Sequence, residues 1–412
     1  LRAGLAWSIT RKNDELALRM VSALARFWYS RSYFIEAQMW CSQALGSRMP
    51  GEHEDEESDA SIAGICAGSC TEAHARLVAR ALNTAGTIAF GRGDQSAARA
   101  CHRRSLTIMR EIDDCEGIAS SLNGLGNASY VQGDYAAARR FHEESLRLRE
   151  TLKDERAIAM SLNNLGNVAM HSGDHQAART AFERSGSMFK QCGDLLYLAN
   201  ALCNLGLLAE LQEDSASAQN YHQQSLDIRT ELGDRKGISN SLLSLGLVAG
   251  KQGNLGDALQ HVKESLEIKE EIGDRRGVAD CLAALGGFAF NAGDYEEARL
   301  LHAQSLEIVQ GIGNQRGIAV QLDSFASIAR AAGLAALCAK LLSASDRLRS
   351  EIGSPRVSDE QASYRADCDA ARCALGDAEF DAAFALGRAL TTDQAVSLAL
   401  NYAEMPEPTC QV

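Results

Sequence analysis

An all-α solenoid of antiparallel helix pairs, closed by a helical C-terminal cap, is the architecture that three regularities of this sequence require. Every twentieth residue from Asp94 onward is Asp or Asn: Asp94, Asp114, Asp134, Asp154, Asp174, Asp194, Asp214, Asp234, Asn254, Asp274, Asp294 and Asn314. Nine of these twelve follow a glycine. Gly can close one helix in the left-handed conformation, and the Asp or Asn oxygen can accept the free N–H groups that open the next. Sequences flanking successive rungs differ while those 40 apart agree, so the unit is a helical hairpin of 40 residues. Each half leaves about 17–18 helical residues, roughly 26 Å of helix.

Composition fits one extended array. The chain has 412 residues, 46% hydrophobic and 23% charged, with only four prolines, enough for several domains or one solenoid. The ladder decides for the solenoid. A net charge of -13 argues against wide contact with a phosphate backbone, so no direct nucleic-acid partner is expected. The twelve cysteines are scattered without a CxxC pair, and Cys66 with Cys70 and Cys368 with Cys373 lack histidines at metal spacing. They read as reduced, packed thiols of a cytoplasmic protein. No apolar run approaches the roughly 18 residues that span a bilayer, and no signal peptide is visible, so no membrane partner is expected. The first residue is Leu1, and the chain reads as a piece of something longer.

Residues 1–46 read as a degenerate first hairpin, with Ala37 and Leu45 in the register of Ala138 and Leu146 and Ser32-Tyr33-Phe34 in place of Gly133-Asp134-Tyr135. Its aromatics, Trp7, Phe27, Trp28, Tyr29, Tyr33, Phe34 and Trp40, are expected to form a bulky core that seals the array's end. Residues 47–72 read as an acidic, flexible insertion: Pro50-Gly51 stops the helix, and Glu52 to Asp59 carries six acids in eight positions. Residues 73–352 hold seven 40-residue units. Glycine recurs mid-helix at Gly86, Gly126, Gly166, Gly206, Gly246 and Gly286, at a cost of about 1 kcal/mol each against Ala. The small residues twelve positions on, Ala98 through Ala298, are expected to meet these glycines across each hairpin. Residues 353–412 leave the period and read as a helical cap with a frayed tail.

Leu162, Leu165, Gly166, Ala169, Ala178 and Phe182 fall where the tetratricopeptide repeat places its Trp, Leu, Gly, Tyr, Ala and Phe. The unit resembles the long variant of that repeat, similar to those of kinesin light chains, and the resemblance implies a superhelix. The array departs in lacking the usual final Pro, and its last copy has Ala326 for Gly, Cys338 for Ala and Leu334 for Asp. The tail extends the likeness. Leu341 to Tyr402, with Ile352-Gly353, Pro355, Tyr364, Leu375-Gly376, Phe380 and Gly387-Arg388-Ala389-Leu390, resembles the end of large bacterial regulators that carry an NB-ARC or related STAND-type ATPase, often near a LuxR- or SARP-type DNA-binding domain. The start, Leu1 to Trp7, resembles the segment where their helical repeats begin. Similar arrays are also fused to protein kinases and nucleotide cyclases.

Catalytic signals are absent. Gly246 to Lys251 is one residue too short for a P-loop, and there is no HExxH or nucleophile elbow. His102, His142, His222 and His302 share one register with Phe182 and Val262. A position that accepts Phe and Val is a packing position. No cofactor or metal is expected. An enzyme hidden in the C-terminal cap is the remaining chemical alternative.

The family's groove positions map onto Asn83, Asn123, Asn163, Cys203, Leu243, Ala283 and Asp323, with a second row at Thr87, Asn127, Asn167, Leu207, Leu247, Gly287 and Ser327. The resemblance thus implies a concave groove that binds a protein or peptide, with Asn83, Asn123, Asn127, Asn163, Asn167, Leu207, Leu243 and Leu247 as its contact residues. Asn donates and accepts together and can grip a peptide backbone, while the leucines offer an apolar pocket. Alternatively each Asn bonds the neighbouring repeat. The expected role is the sensor or partner-binding arm of a larger regulator, with an upstream ATPase or other effector domain in the same polypeptide; a scaffold arm on a kinase or cyclase is the alternative.

Overall fold

A computed structural model describes residues 2–30, 33–46, 71–356 and 358–401. The acidic run Glu52 to Asp59 lies outside the described residues. Among those described, every regular element is a helix, and the chain falls into two compact units, 1–211 and 212–412.

In the first unit three helices, α1 (Arg2–Thr10), α2 (Asp14–Ser30) and α3 (Phe34–Leu45), precede the hairpins α4 (Glu72–Gly91) with α5 (Gln95–Glu111), α6 (Cys115–Val131) with α7 (Tyr135–Leu152), and α8 (Glu155–His171) with α9 (His175–Gln191). Helix α10 (Leu195–Leu211) ends it. The second unit runs through α11 (Ser215–Leu232), α12 (Arg235–Lys251), α13 (Leu255–Glu271), α14 (Arg275–Asn291), α15 (Tyr295–Gly311), α16 (Gln315–Ala331) and α17 (Ala335–Glu351). Helices α18 (Ser358–Leu375), α19 (Asp377–Ala389) and α20 (Thr392–Leu400) close it.

The punctuation works as its chemistry requires. All twelve rungs of the ladder accept the backbone N–H three residues on, at 2.9–3.4 Å. The nine preceding glycines have φ between 65° and 84°. Before Asp114, Asp154 and Asp214 the same left-handed conformation is held by Asp113, Lys153 and Glu213, with φ of 51°, 57° and 59°, at a steric cost that glycine avoids.

The nearest partner of the mid-helix glycines is not the expected alanine, though Gly246 also has the Ala258 carbonyl oxygen 3.1 Å from an added Cβ. A Cβ on Gly86, Gly126, Gly166, Gly246 or Gly286 would meet the side chain of His102, His142, Phe182, Val262 or His302, sixteen residues on, at 2.5–2.8 Å. Ala98, Ala138, Ala178, Ala258 and Ala298 are fully buried, but the larger residue one turn later fills the notch that glycine leaves. The histidine register is therefore a buried packing register, and it explains the glycines.

Two further registers join helices. Ser105, Ser145, Ser185, Ser265, Ser305 and Ser345, all buried, donate to first-helix carbonyls 26 residues back at 2.7–3.0 Å. Successive hairpins meet where a second-helix residue packs on the residue eight positions later. A Cβ on Gly117, Gly237, Gly277 or Gly317 would strike Met109, Arg229, Lys269 or Val309, and Phe189 stacks on Tyr197 at 5.1 Å.

The aromatic start is only partly core. Trp28 is 2% exposed, whereas Trp7, Phe27, Tyr29 and Tyr33 stand 43–53% exposed. Phe27, Trp28 and Tyr29 are consecutive on one helix, about 100° apart, so one alone can point inward. At the other end α17 packs on α18 and α19, and Phe380, Ala383, Val396 and Ala399 join its core. Thr391 caps α20 in a reciprocal capping box with Gln394.

Candidate functional site

Within the first unit the first helices of successive hairpins, α4, α6 and α8, touch one another and share a face. Asn83, Asn123 and Asn163 occupy one row on it; Thr87, Asn127 and Asn167, four residues on and hence on the same side of each helix, occupy the next. All six are half-buried.

The asparagine oxygens serve the fold. Asn164 Nδ2 donates to Asn123 Oδ1 at 2.9 Å, and Asn204 Nδ2 to Asn163 Oδ1 at 3.0 Å, so each bond ties one hairpin to the next. Asn83 Nδ2 donates to Ser120 Oγ at 2.7 Å, and its Oδ1 lies 2.5 Å from His102 Nδ1. An amide oxygen only accepts, so Nδ1 carries the proton. Burial pushes the His102 imidazole down to about 4, and the ring is neutral at pH 7. Asn127 and Asn167 make no side-chain hydrogen bond with any described residue, and the Nδ2 groups of Asn123 and Asn163 are likewise left over. The unused hydrogen-bonding groups of these rows are therefore these amides.

Two cavities open on this face. One of about 430 Å³ is walled by Arg19, Leu77, Arg80, Met109 and Glu116. The other, of about 220 Å³, is walled by Tyr29, Phe90, His102, Asn123 and Asn127. They share Asn83 and Ser120. Sequence reasoning did not find Arg19, Tyr29, Arg80 or Phe90: the first two come from α2, outside the 40-residue period, and no register marks them. Asn163 and Asn167 continue the rows on α8, and Leu207, 38% exposed, lies on α10.

Leu243 and Leu247 belong to the second unit. Leu243 is half-buried against the cluster of Val262, Cys281 and Leu285, and Leu247 is 37% exposed. The rows end at α16, where the chain's own C-terminal segment occupies them. Asp323 accepts from Arg349 at 3.1 Å and from Arg356 at 3.0 Å, while Ser327 Oγ donates to Asp367 of α18 at 2.5 Å. Both side chains still line a small cavity of about 160 Å³ together with Arg349, Glu360 and Tyr364, so what opens there is walled in part by the C-terminal segment.

Burial pushes the Cys41 and Cys101 thiols up to about 12, which leaves them protonated and inert. Among the described residues no three His, Cys, Asp or Glu side chains converge as a metal site would need, and no helix is long and apolar enough to cross a membrane.

The tetratricopeptide repeat profile matches residues 77–151, 157–231 and 237–311, more than half of the chain. Among solved structures, the chain is similar to a Rap protein complexed with Competence and Sporulation Factor, at 12% identity and a TM-score of 0.53, over 88% of this chain and 98% of that one. It is similar to the apo form of RapI at 15% identity and a TM-score of 0.52, over 72% and 98%. BtubC (BKLC) from P. vanneervenii shares 20% identity over 48% of this chain and 83% of its own, with a TM-score of 0.44. No curated protein matches the chain in sequence.

Proposed function

Because the chain belongs to the tetratricopeptide repeat family, we propose that the shared face of α4, α6 and α8 binds a peptide or an exposed segment of a partner protein. The observation that carries this reading is a cavity lined by amides that the fold leaves unused, that of Asn127 and the Nδ2 group of Asn123, adjoining a second cavity at Asn83 and Ser120; Asn163 and Asn167 continue the same rows on α8. Amides can donate to and accept from a peptide backbone whatever its side chains. A Rap protein of similar fold, complexed with Competence and Sporulation Factor, supports it. Leu207 is proposed to add an apolar contact on α10; in the second unit, taken by itself, Leu243 and Leu247 are proposed as apolar contact residues.

In this reading residues 73–352 are the binding array, 1–46 and 353–412 its ends, and 47–72 an insertion. No catalytic step belongs to it. The chain acts as the sensor or partner-binding arm of a larger cytoplasmic bacterial regulator whose upstream part is a STAND-type ATPase, a role supported by the likeness of Leu341 to Tyr402 and of Leu1 to Trp7 to the matching segments of such regulators. Two experiments test this. Panning a peptide-display library against the full chain should enrich a family of related peptides, and the reading frame upstream of Leu1 should encode an ATPase domain. Failure to enrich any peptide would remove the binding role, and an upstream kinase or cyclase would replace the regulator with a scaffold.

A further inference from the structure

We propose that the 220 Å³ cavity beside Gly124 is a subsite for a side-chain primary amide, an Asn or Gln of the bound peptide, which takes the place that Asn164 and Asn204 fill in the next two hairpins. This builds on the peptide-binding role above and names one residue of its ligand.

Positions 124, 164 and 204 are equivalent, 40 residues apart. At the second and third, an Asn side chain reaches back to the preceding hairpin and donates to Asn123 and Asn163. At the first the residue is Gly124, the His102 ring lies against the missing Cβ position, and a cavity opens beside both. Asn83, the counterpart of Asn123, receives its hydrogen bond from His102 Nδ1 instead. The contrast with the next hairpin is direct. His142, equivalent to His102, has an unpartnered Nδ1, while the oxygen of Asn123, equivalent to that of Asn83, accepts from Asn164. His102 has thus swung into part of the space an amide would use, and a Cβ on Gly124 would collide with its ring.

The wall chemistry selects the occupant. Amide, hydroxyl and aromatic groups line the cavity, and none of its lining side chains is charged. A carboxylate or ammonium entering it would lose hydration with no counter-charge to replace it. An aliphatic group would cover the amides of Asn123 and Asn127 without bonding them. A neutral amide meets both demands. Its NH2 donates to the second lone pair of Asn83 Oδ1, its oxygen accepts from the spare amides of Asn123 and Asn127, and its plane lies beside the rings of Tyr29 and Phe90.

The test compares the full chain with Gly124→Asn, which supplies the amide from within. That variant has a precedent in the same molecule, since Asn164 sits beside His142. The double variant Gly124→Asn with His102→Phe reproduces the third hairpin, where Phe182 and Asn204 coexist, and keeps the test open should the single one fold poorly. Peptides selected on the unaltered chain should carry Asn or Gln at one fixed position, and should bind Gly124→Asn about tenfold or more weakly, the loss of roughly one hydrogen-bonding group. Replacing that Asn or Gln by Glu or Leu should weaken binding to the unaltered chain and make little difference to the variant. Equal binding by both proteins, or a selected position filled by charged or aliphatic residues, would overturn the amide subsite alone. If the unaltered chain selects no peptide, the binding role falls with it.

Discussion

Asn164 donates its side-chain amide to Asn123 across 2.9 Å, joining α8 to α6. Asn123 and Asn163 therefore hold hairpins together through their oxygens, whereas Asn127 and Asn167, one turn on, hold nothing. Asn123→Ala and Asn163→Ala should each cost about 1 kcal/mol of stability, because a half-buried donor on Asn164 or Asn204 loses its acceptor. Asn127→Ala and Asn167→Ala should leave the urea midpoint unchanged. A common midpoint for all four variants would show that the inter-hairpin amide bonds contribute nothing.

Two glycines with opposite surroundings test how the hairpins close. A Cβ on Gly166 would stand 2.5 Å from the ring of Phe182, which is fully buried and hemmed in. Gly166→Leu should overpack that contact by about 1–3 kcal/mol or more, which outweighs the roughly 1 kcal/mol gained in helix propensity. Gly287, interior to α14, has nothing within 4 Å of an added Cβ. Gly287→Ala should raise stability by up to about 1 kcal/mol. Denaturant midpoints moving in opposite directions are the expected result.

Lys153 holds a left-handed conformation, φ 57°, where most turns of the ladder have glycine. Lys153→Gly should stabilise the chain by about 0.5–1 kcal/mol, since the steric cost of a side chain there exceeds the extra freedom that glycine gives the unfolded state. Gly133→Ala, at φ 80°, should lose a similar amount. Thermal unfolding of the two variants compares them directly.

Acid should weaken the fold through its histidines. Burial holds His102 and His142 down at about 4, below their ordinary value near 6.5. The unfolded chain therefore binds protons that the folded one refuses. Stability is complete above pH 6.5 and falls as pH drops from 6.5 toward 4, by on the order of 3 kcal/mol per histidine at most. His102→Phe, which copies the Phe182 arrangement of the third hairpin, should flatten part of that fall. Midpoints measured between pH 7 and pH 4.5 check it, and an unchanged slope would mean that His102 is not the group responsible.

The caps were legible because a cap is a local event: Asp94 and Gly93 announce a turn within two positions, and the period repeats the message. Periodicity also identified equivalent positions, and so the histidine register. It could not say which of two periodic partners a glycine meets. Gly166 faces both Ala178 and Phe182 by register, and only the packed hairpin shows the ring of Phe182 in the notch. The serine that recurs at 105, 145 and 185 was visible in the sequence as a repeat, yet its bond runs to a backbone carbonyl, which no residue type marks. Tyr29 and Arg19 lie on α2, beyond the period, and the pairing of Asp323 with Arg349 and Arg356 is marked by no register.

The central claim is that amides on the α4, α6 and α8 face hold a peptide. The most direct measurement is calorimetric titration of the full chain, and of its Asn127→Ala, Asn167→Ala double variant, with one peptide selected on the full chain. Both side chains are free of the fold's own hydrogen bonds, so the variant should keep its circular dichroism and its urea midpoint. It should bind at least about 2 kcal/mol more weakly, roughly thirtyfold, if each amide contributes about 1 kcal/mol. Undiminished affinity in the folded double variant would contradict the claim and place the binding surface elsewhere on the chain.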